Sequence, residues 1–307
     1  IRSWSALRLA PWCGDSEQPM VQRVTGRTKL VGLFGWPTEH SVSPAMQNAA
    51  IDAMDLDWCY VPLPVPPEGI SQAVSALRAL GLVGANVTVP HKQAVLPLVD
   101  ELSEEARVVG AVNTIILRDG RLFGHNTDVA GFLRALREAG MAASGRAVVL
   151  GAGGAARAVV CALRQTASEI LILNRTVERA KSLADEMGEG QVCRVLGATL
   201  EAGSLQSALD AACLLVNATS VGMWPYVDSS PWPKDVAYPS EVPLFDLVYN
   251  PQETALMRMA REAGARAENG LGMLVHQGAE SLRLWSGREP DVCIMRTACL
   301  EALEGDG

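Results

Sequence analysis

Short apolar runs alternate along this chain with stretches whose apolar residues recur every three or four positions, the pattern of strands alternating with helices. KLVGLFG at 29–35 reads as a buried strand closed by Gly35. Pro44 suits the first turn of a helix over 45–54, with Ser43 as its cap. A strand near 57–63 precedes a helix from 67 to 80 whose Ile70, Val74, Leu77 and Leu80 share one face. Gly81 and Gly84 break it, and a strand over 84–89 follows. Residues 101–109 read as a helix, and 111–117 and 122–124 as hairpin arms around Asp119-Gly120. Thr127 or Asp128 can then cap the helix VAGFLRALREAG. Further strands are expected at 148–150, 170–173, 192–195, 214–217, 243–249 and 265–268, with helices around 155–165, 204–212 and 252–263. Two helices close the chain at 271–286 and 290–303. Alternation of this kind predicts an α/β protein whose sheets are largely parallel and covered by helices. Residues 224–242, rich in Pro and Trp, have no period and read as a surface loop or a lid.

Length and composition narrow the classes of function. The 307 residues are 49% hydrophobic, enough for two domains with real cores. A formal charge of -8 and the lack of any basic run argue against a nucleic-acid surface. No apolar run is long enough to span a bilayer. The seven cysteines, Cys13, Cys59, Cys161, Cys193, Cys213, Cys293 and Cys299, form no CxxC pair, and the four histidines lack metal-ligand spacing. Free thiols, no metal and a reduced cytoplasmic location are therefore expected. Residues 1–19 lack a sustained period and the apolar core of a secretion signal, and read as an extension outside the fold.

The chemistry-bearing residues fall into a few short stretches. In NVTVPHK at 86–92, Asn86 and Thr88 are two apart and face one side of an extended chain, and Lys92 follows Pro90, which ends the strand. Asparagine, threonine and lysine converging at a strand end suit a small polyhydroxylated molecule held beside a titratable amine. A solvated strand end is the plain alternative. Ser41 and Ser43 can jointly hydrogen-bond a carboxylate, although Ser43 also suits a cap. Asn113 lies inside an apolar run, where its amide needs partners.

A short strand at 148–150 runs straight into Gly151-Ala152-Gly153-Gly154-Ala155-Ala156-Arg157, then a helix and another strand. This is the context a dinucleotide fingerprint requires. The first glycine permits the tight turn, the second admits a pyrophosphate to the backbone, and the helix amino end stabilises its charge. NAD-selective folds place a carboxylate at the end of the next strand. Here Asn174-Arg175-Thr176 and Arg179 stand there instead, which suits a 2′-phosphate and favours NADP(H).

Taken in order, HSVSP, NVTVPHK, GAVNT, NTD, GAGGAARA, NRT, NATSVGM, DLVYNP and NGLGMLVHQGA resemble the signatures of the shikimate dehydrogenases, from about residue 29 to 301. The resemblance implies two α/β domains, a Rossmann-type cofactor domain over 127–270 and a smaller substrate domain over 20–126 completed by 271–307. It implies NADPH-linked reduction of 3-dehydroshikimate to shikimate by a monomer or homodimer. By motif, Ser41, Ser43 and Tyr249 would bind the substrate carboxylate, and Asn86, Thr88, Asn113 and Gln277 the ring hydroxyls. Lys92 and Asp128 would flank the carbon that changes oxidation state, Lys92 as a proton shuttle or an electrostatic anchor. Cofactor contacts would come from Gly151, Ala152, Gly153, Gly154, Ala155, Asn174, Arg175, Thr176 and Arg179, with Leu247 and Gly270 near the nicotinamide. Glu104 matches an acidic family position and is placed with the cofactor set. A dual-specificity quinate/shikimate dehydrogenase, often NAD-using, is the enzymatic rival, and the missing acidic residue after the second strand counts against it. A regulatory module that lost catalysis would be expected to lack Lys92 or Asp128, and both are present.

Overall fold

The computed structural model describes residues 24–188 and 193–305. The expected extension over 1–19, with Cys13, lies outside them.

The first sheet is built from β1 (Lys29–Gly35), followed by α1 (Ser43–Ala53), β2 (Trp58–Pro64), α2 (Ile70–Ala79), β3 (Gly84–Val87), β4 (Glu101–Leu102), α3 (Glu104–Val109), β5 (Thr114–Arg118) and β6 (Arg121–His125). Its strand order is β2-β1-β3-β5-β6-β4. The helical crossovers through α1 and α2 make β2 and β3 parallel to β1. The β5–β6 pair is antiparallel because only two residues join its arms. Asp119 and Gly120 both take positive φ, 51° and 76°, as the tight hairpin turn that matches strand twist requires. This sheet is therefore mixed rather than largely parallel.

The second sheet begins after α4 (Asp128–Glu138). It comprises β7 (Arg146–Leu150), α5 (Gly154–Leu163), β8 (Glu169–Asn174), α6 (Val177–Gly188), β9 (Arg194–Thr199), α7 (Ala202–Leu209), β10 (Ala212–Asn217), β11 (Leu244–Asp246), α8 (Ala255–Glu262) and β12 (Ala267–Glu268). Every pairing is parallel, in the order β12-β11-β10-β7-β8-β9. Ala147, Val148, Val149 and Leu150 of β7 are wholly buried, the continuous apolar run of a strand covered on both faces. The order reverses beside β7, and a crevice opens at the carboxyl ends of β7 and β10.

Helices α9 (Leu271–Ser286) and α10 (Val292–Gly305) return to the first half. Val275, Ala279 and Leu282 of α9 pack with Met46 and Ile51 of α1, each of these Val, Leu, Met and Ile side chains contributing about 1.5–3 kcal/mol. Met273 at the start of α9 instead joins the second core with Phe132 and Phe245. Gly131 lets α4 come close to α9, since a Cβ there would stand 2.8 Å from the backbone nitrogen of Gln277. One helix thus ties both cores together beside the crevice.

Several boundaries and caps differ from expectation. Ser43 is the first residue of α1, not its cap: Val42 occupies that position with helical backbone, and no side chain caps the helix. Leu80 caps α2 and is 73% exposed, because the helix ends before its face turns inward. The strand expected at 84–89 stops at Val87, and the helix expected at 101–109 starts at Glu104, where Ser103 accepts from the Ala106 N–H, while Glu101–Leu102 pairs with β6. The helix expected at 204–212 ends at Leu209, and α8 starts at Ala255, where Thr254 accepts from the Met257 N–H. β11 ends at Asp246, short of the expected 249. Residues 224–242 form no helix or strand, as expected of a surface loop, but the loop is anchored: Trp232 and Tyr238 stack at 4.9 Å and bury themselves in the core beside β11. Their polar atoms donate to the Val236 and Val242 carbonyls, so burial leaves neither unpaired.

Candidate active site

The carboxyl end of β3 and the loop after it, the first turn of α4 and the inner face of α9 meet at a cavity of about 190 Å³. Ser41, Ser43, Asn86, Thr88, Lys92, Asn113, Asp128, Tyr249 and Gln277 all line it. Residues separated by more than two hundred positions in sequence are gathered there. Leu33, Val87, Met273 and Leu274 supply an apolar wall. Ala155, Leu247 and Gly270 close the side nearest the second sheet. Gly270 could be no other residue without moving the strand end, since a Cβ there would stand 2.0 Å from the Leu247 carbonyl oxygen.

Lys92 and Asp128 form an ion pair of 2.7 Å, with side chains only 16% and 5% exposed. Asp128 does not cap α4, so its carboxylate is free for this role. Oδ1 accepts from Asn113 Nδ2 at 2.8 Å while Oδ2 accepts from Lys92 Nζ. Thr127 Oγ1 at 2.9 Å and Gln277 Oε1 at 3.3 Å also lie within reach of Asn113 Nδ2, whose second N–H they share, and its Oδ1 accepts from the Thr127 N–H at 2.8 Å. The amide buried in an apolar run thus finds partners on every side.

Asn86 is held as firmly. Its Oδ1 accepts from the Tyr60 hydroxyl at 2.9 Å, and its Nδ2 lies within reach of the Asn113 carbonyl, Thr114 Oγ1 and Ser281 Oγ. Ser281, Thr114, Thr127 and Tyr60 form a buried layer behind the cavity that the sequence motifs did not reveal. The signal for Ser281 was its place four residues after Gln277 on one helix face, where its hydroxyl donates to the Gln277 carbonyl at 2.9 Å. The Ser43 N–H donates to Ser41 Oγ at 3.3 Å, which folds the two serines onto one edge of the cavity. Burial pushes the Tyr249 phenol up to about 12, so its hydroxyl stays neutral and able to donate.

A larger cleft of about 750 Å³ adjoins this cavity, and Lys92 and Ala155 line both. Ala152, Gly153, Gly154 and Arg179 also line the cleft. Gly151 takes φ +105°, and a Cβ there would press on the Ala218 backbone at 3.1 Å. A Cβ at Gly153 would meet nothing within 4 Å, so the turn leaves room above the amino end of α5 for a diphosphate. Arg175 and Thr176 are exposed past the end of β8, and Asn174 Nδ2 donates to the Thr176 carbonyl at 2.8 Å. Among the described residues neither Arg175 nor Arg179 has an acidic partner. These features fit a 2′-phosphorylated dinucleotide. Glu104 is exposed on the first turn of α3 and lines neither space. The His40 and Trp224 rings meet at 3.9 Å and join the loop bearing Ser41 to the loop leaving β10. Among the described residues no cluster of His, Cys, Asp and Glu is arranged to hold a metal ion, and no helix is long and apolar enough to cross a membrane.

Asp246, at the end of β11, is wholly buried. Its carboxylate accepts from Asn217 Nδ2, the Val248 N–H and the Thr254 hydroxyl, yet burial outweighs these bonds and raises it from 3.8 to about 6. The folded state therefore holds a proton that the unfolded chain has released, and stability falls as pH rises from 3.8 through about 6. Asp246→Asn should flatten that fall by on the order of 3 kcal/mol. Urea midpoints measured across this range for both proteins check it, and parallel pH curves would defeat it.

A polar cavity with a buried amine–carboxylate pair, opening onto a glycine turn at the switch point of a parallel sheet, defines a two-domain, dinucleotide-dependent α/β oxidoreductase. Comparison with known proteins makes the class specific. The shikimate dehydrogenase substrate binding domain family matches residues 33–115. The shikimate / quinate 5-dehydrogenase family matches 134–222, and the shikimate 5'-dehydrogenase C-terminal domain matches 270–300. The NADP(+) shikimate dehydrogenase of Methanothermobacter thermautotrophicus is 44% identical over 92% of this chain and 100% of its own. A crystal structure of a shikimate dehydrogenase in complex with NADP+ superposes with a TM-score of 0.85 at 39% identity, covering 93% of this chain and 99% of that one. The Thermus thermophilus enzyme, solved with NADP(H) and shikimate, gives 0.80 at 40% identity over 90% and 100% of the two chains. The chain belongs to the NADP(+)-dependent shikimate dehydrogenase family.

Proposed function

We propose that this chain interconverts 3-dehydroshikimate and shikimate reversibly with NADP(H), and that Lys92 and Asp128 manage the proton. The observation that carries the reading is the place of Lys92. It is the polar residue shared by the small cavity and the cofactor cleft, and it is paired at 2.7 Å with a carboxylate that Asn113 holds from the other side.

When bound, the nicotinamide supplies or accepts the hydride. Ser41, Ser43 and Tyr249 hold the substrate carboxylate at one edge of the cavity. Asn86, Thr88, Asn113 and Gln277 address the ring hydroxyls, and the Leu33, Val87 and Leu274 side chains cover the ring's apolar face. In the reducing direction the carbonyl oxygen gains negative charge, and Lys92 Nζ donates to it and then gives up a proton. In oxidation the neutral amine takes the alcohol proton. Asp128 stabilises the ammonium form, and Asn113 keeps the carboxylate turned toward Lys92. Thr88 and Gln277 select the ring by hydrogen bonding, so a substrate lacking a hydroxyl would leave a buried polar group unpaired.

The same reading divides the chain into 20–126 with 271–307 on the substrate side and 127–270 on the cofactor side. Support comes from the first sheet ending at His125 and the second at Glu268, with α4 and α9 starting just past each crossing. Two crossings allow the halves to close about the cavity.

The test crosses shikimate and quinate with NADP+ and NAD+, following absorbance of the reduced nicotinamide. Turnover of shikimate with NADP+ is expected to exceed every other pairing by at least about tenfold in kcat/KM. Preference for quinate with NAD+ would move the chain to the sister activity, and tight shikimate binding without turnover would make it a binding module.

A further inference from the structure

Arg157, the fourth residue of α5, has so far been given no task, yet its side chain is only 11% exposed. Nε donates to the Val109 carbonyl at 2.5 Å, and Nη2 pairs with the Glu186 carboxylate of α6 at 2.6 Å. Val109 is the last residue of α3, so its carbonyl belongs to the electronegative end of that helix. Gly110 follows with φ +65°, and a Cβ there would stand 2.6 Å from Arg157 Nη2. The guanidinium fills the space that this glycine leaves.

The four residues after Val109 lead straight to the proposed proton-handling pair. The Ala111 carbonyl accepts from Asn126 Nδ2 at 2.9 Å. The Val112 N–H donates to the Lys92 carbonyl at 2.7 Å. The Asn113 N–H donates to the His125 carbonyl at 3.0 Å, and its side chain holds Asp128 at 2.8 Å. At the other end of the same connection, α5 starts at Gly154, where a Cβ would lie 3.6 Å from the Lys92 side chain. Resting on the function proposed above, we infer that Arg157 is a positioning residue. It clamps the helix of the glycine turn to the 109–113 segment and so sets Lys92 and Asp128 at a fixed distance from the cofactor turn.

The alternative use of an arginine in a glycine-turn helix is to bind cofactor phosphate. Arg157 and Glu186 do line the cofactor cleft, but one edge of the guanidinium is engaged by the Val109 carbonyl and another is neutralised by the Glu186 carboxylate, which leaves little of it for a phosphate. The clamp also makes a specific demand on geometry. A shift of about 1 Å at a reacting pair is enough to slow chemistry by about a hundredfold without weakening binding.

Arg157→Ala and Arg157→Lys are compared with wild type in kcat, in KM for shikimate, in NADPH affinity by nicotinamide fluorescence, and in the pH profile of kcat. Arg157→Ala is expected to lower kcat by at least about tenfold and change its pH profile, with NADPH affinity within about threefold. Arg157→Lys should recover part of kcat, since one ammonium can still reach the Val109 carbonyl but lacks the fork. Unchanged kcat with NADPH affinity weakened about tenfold or more would make Arg157 a phosphate contact and overturn the inference. Unchanged kcat and affinity, with only a lower unfolding midpoint, would overturn it in favour of a purely structural role. If Arg157→Ala does not fold, Glu186→Gln decides. Its carboxylate is 48% exposed, and loosening it should lower kcat by about threefold at unchanged KM; no change in kcat overturns the clamp. A wild type that turns over no shikimate would overturn the functional reading and this inference together, whereas an active wild type with unaffected variants overturns the inference alone.

Discussion

Lys92→Met is expected to lower kcat by about 10²–10⁴-fold while KM for shikimate moves by no more than a few fold. Methionine keeps most of the length of the side chain and removes its proton and charge. The amine stands in both the small cavity and the cofactor cleft, where a carbonyl oxygen reduced by hydride would develop charge. A group acting there is felt in the transition state more than in the ground-state complex. If Lys92 were chiefly an anchor for the substrate, the loss would fall on KM and leave kcat within about tenfold. The pair also predicts a cost to folding. The Asp128 side chain is 5% exposed and would be left with Asn113 as its one side-chain donor, and breaking a buried pair by removing one partner destabilises by about 3 kcal/mol. Lys92→Met/Asp128→Asn should therefore recover unfolding stability without recovering turnover. Its kcat should lie close to that of Lys92→Met, because the two residues act as one unit. Urea unfolding and steady-state rates on the same three preparations measure both halves, and independent, multiplying losses of kcat would show the residues acting separately.

The parts of this site that were legible in the sequence are those set by local chemistry. The glycine turn could be read because a strand, a tight turn and a helix amino end lie within one short stretch, and Gly151 does take the positive φ that the turn demands. The hairpin at Asp119-Gly120 was legible for the same reason. From the residues alone Asn113 read as an amide in need of partners and Asp128 as a possible cap, and only the family resemblance set them in one site, because their partners come from distant elements. Lys92 reaches Asp128 across 36 positions, and Gln277 reaches Asn113 across 164. The layer of Tyr60, Thr114, Thr127 and Ser281 was illegible because each is an ordinary residue on its own element. Only the packing of α9 against α4 and β5 makes them a network. Ser43 was misread as a cap because its type and its place before Pro44 fit one, whereas the backbone turns helical a residue earlier at Val42. The missing period marked 224–242 as a loop, but gave no sign of its anchors, because Trp232 and Tyr238 follow no helical or strand repeat.

Arg175→Asp is expected to raise KM for NADPH by about a hundredfold and to leave KM for NADH unchanged or lower. Arg175 is exposed just past the end of β8, where a parallel nucleotide-binding sheet presents the residue that meets the adenosine ribose. A guanidinium there can hold two phosphate oxygens at once, and no acidic neighbour competes for it among the described residues. Replacing it with a carboxylate removes about 1.5–3 kcal/mol of charged hydrogen bonding and sets like charges against each other. The same carboxylate can accept from an unmodified ribose 2′-hydroxyl, which is why NADH should not suffer. Arg179 stands four residues on, on the first turns of α6, and also lines the cleft. It will offset part of the new negative charge, so Arg175→Asp/Arg179→Ala should extend the discrimination further than either change alone. Because both groups are at the surface, the wild-type KM for NADPH should climb with added salt more steeply than in the variant. Equal losses for the two cofactors, or a salt dependence that the substitution leaves intact, would mean that the 2′-phosphate is held elsewhere along the crevice.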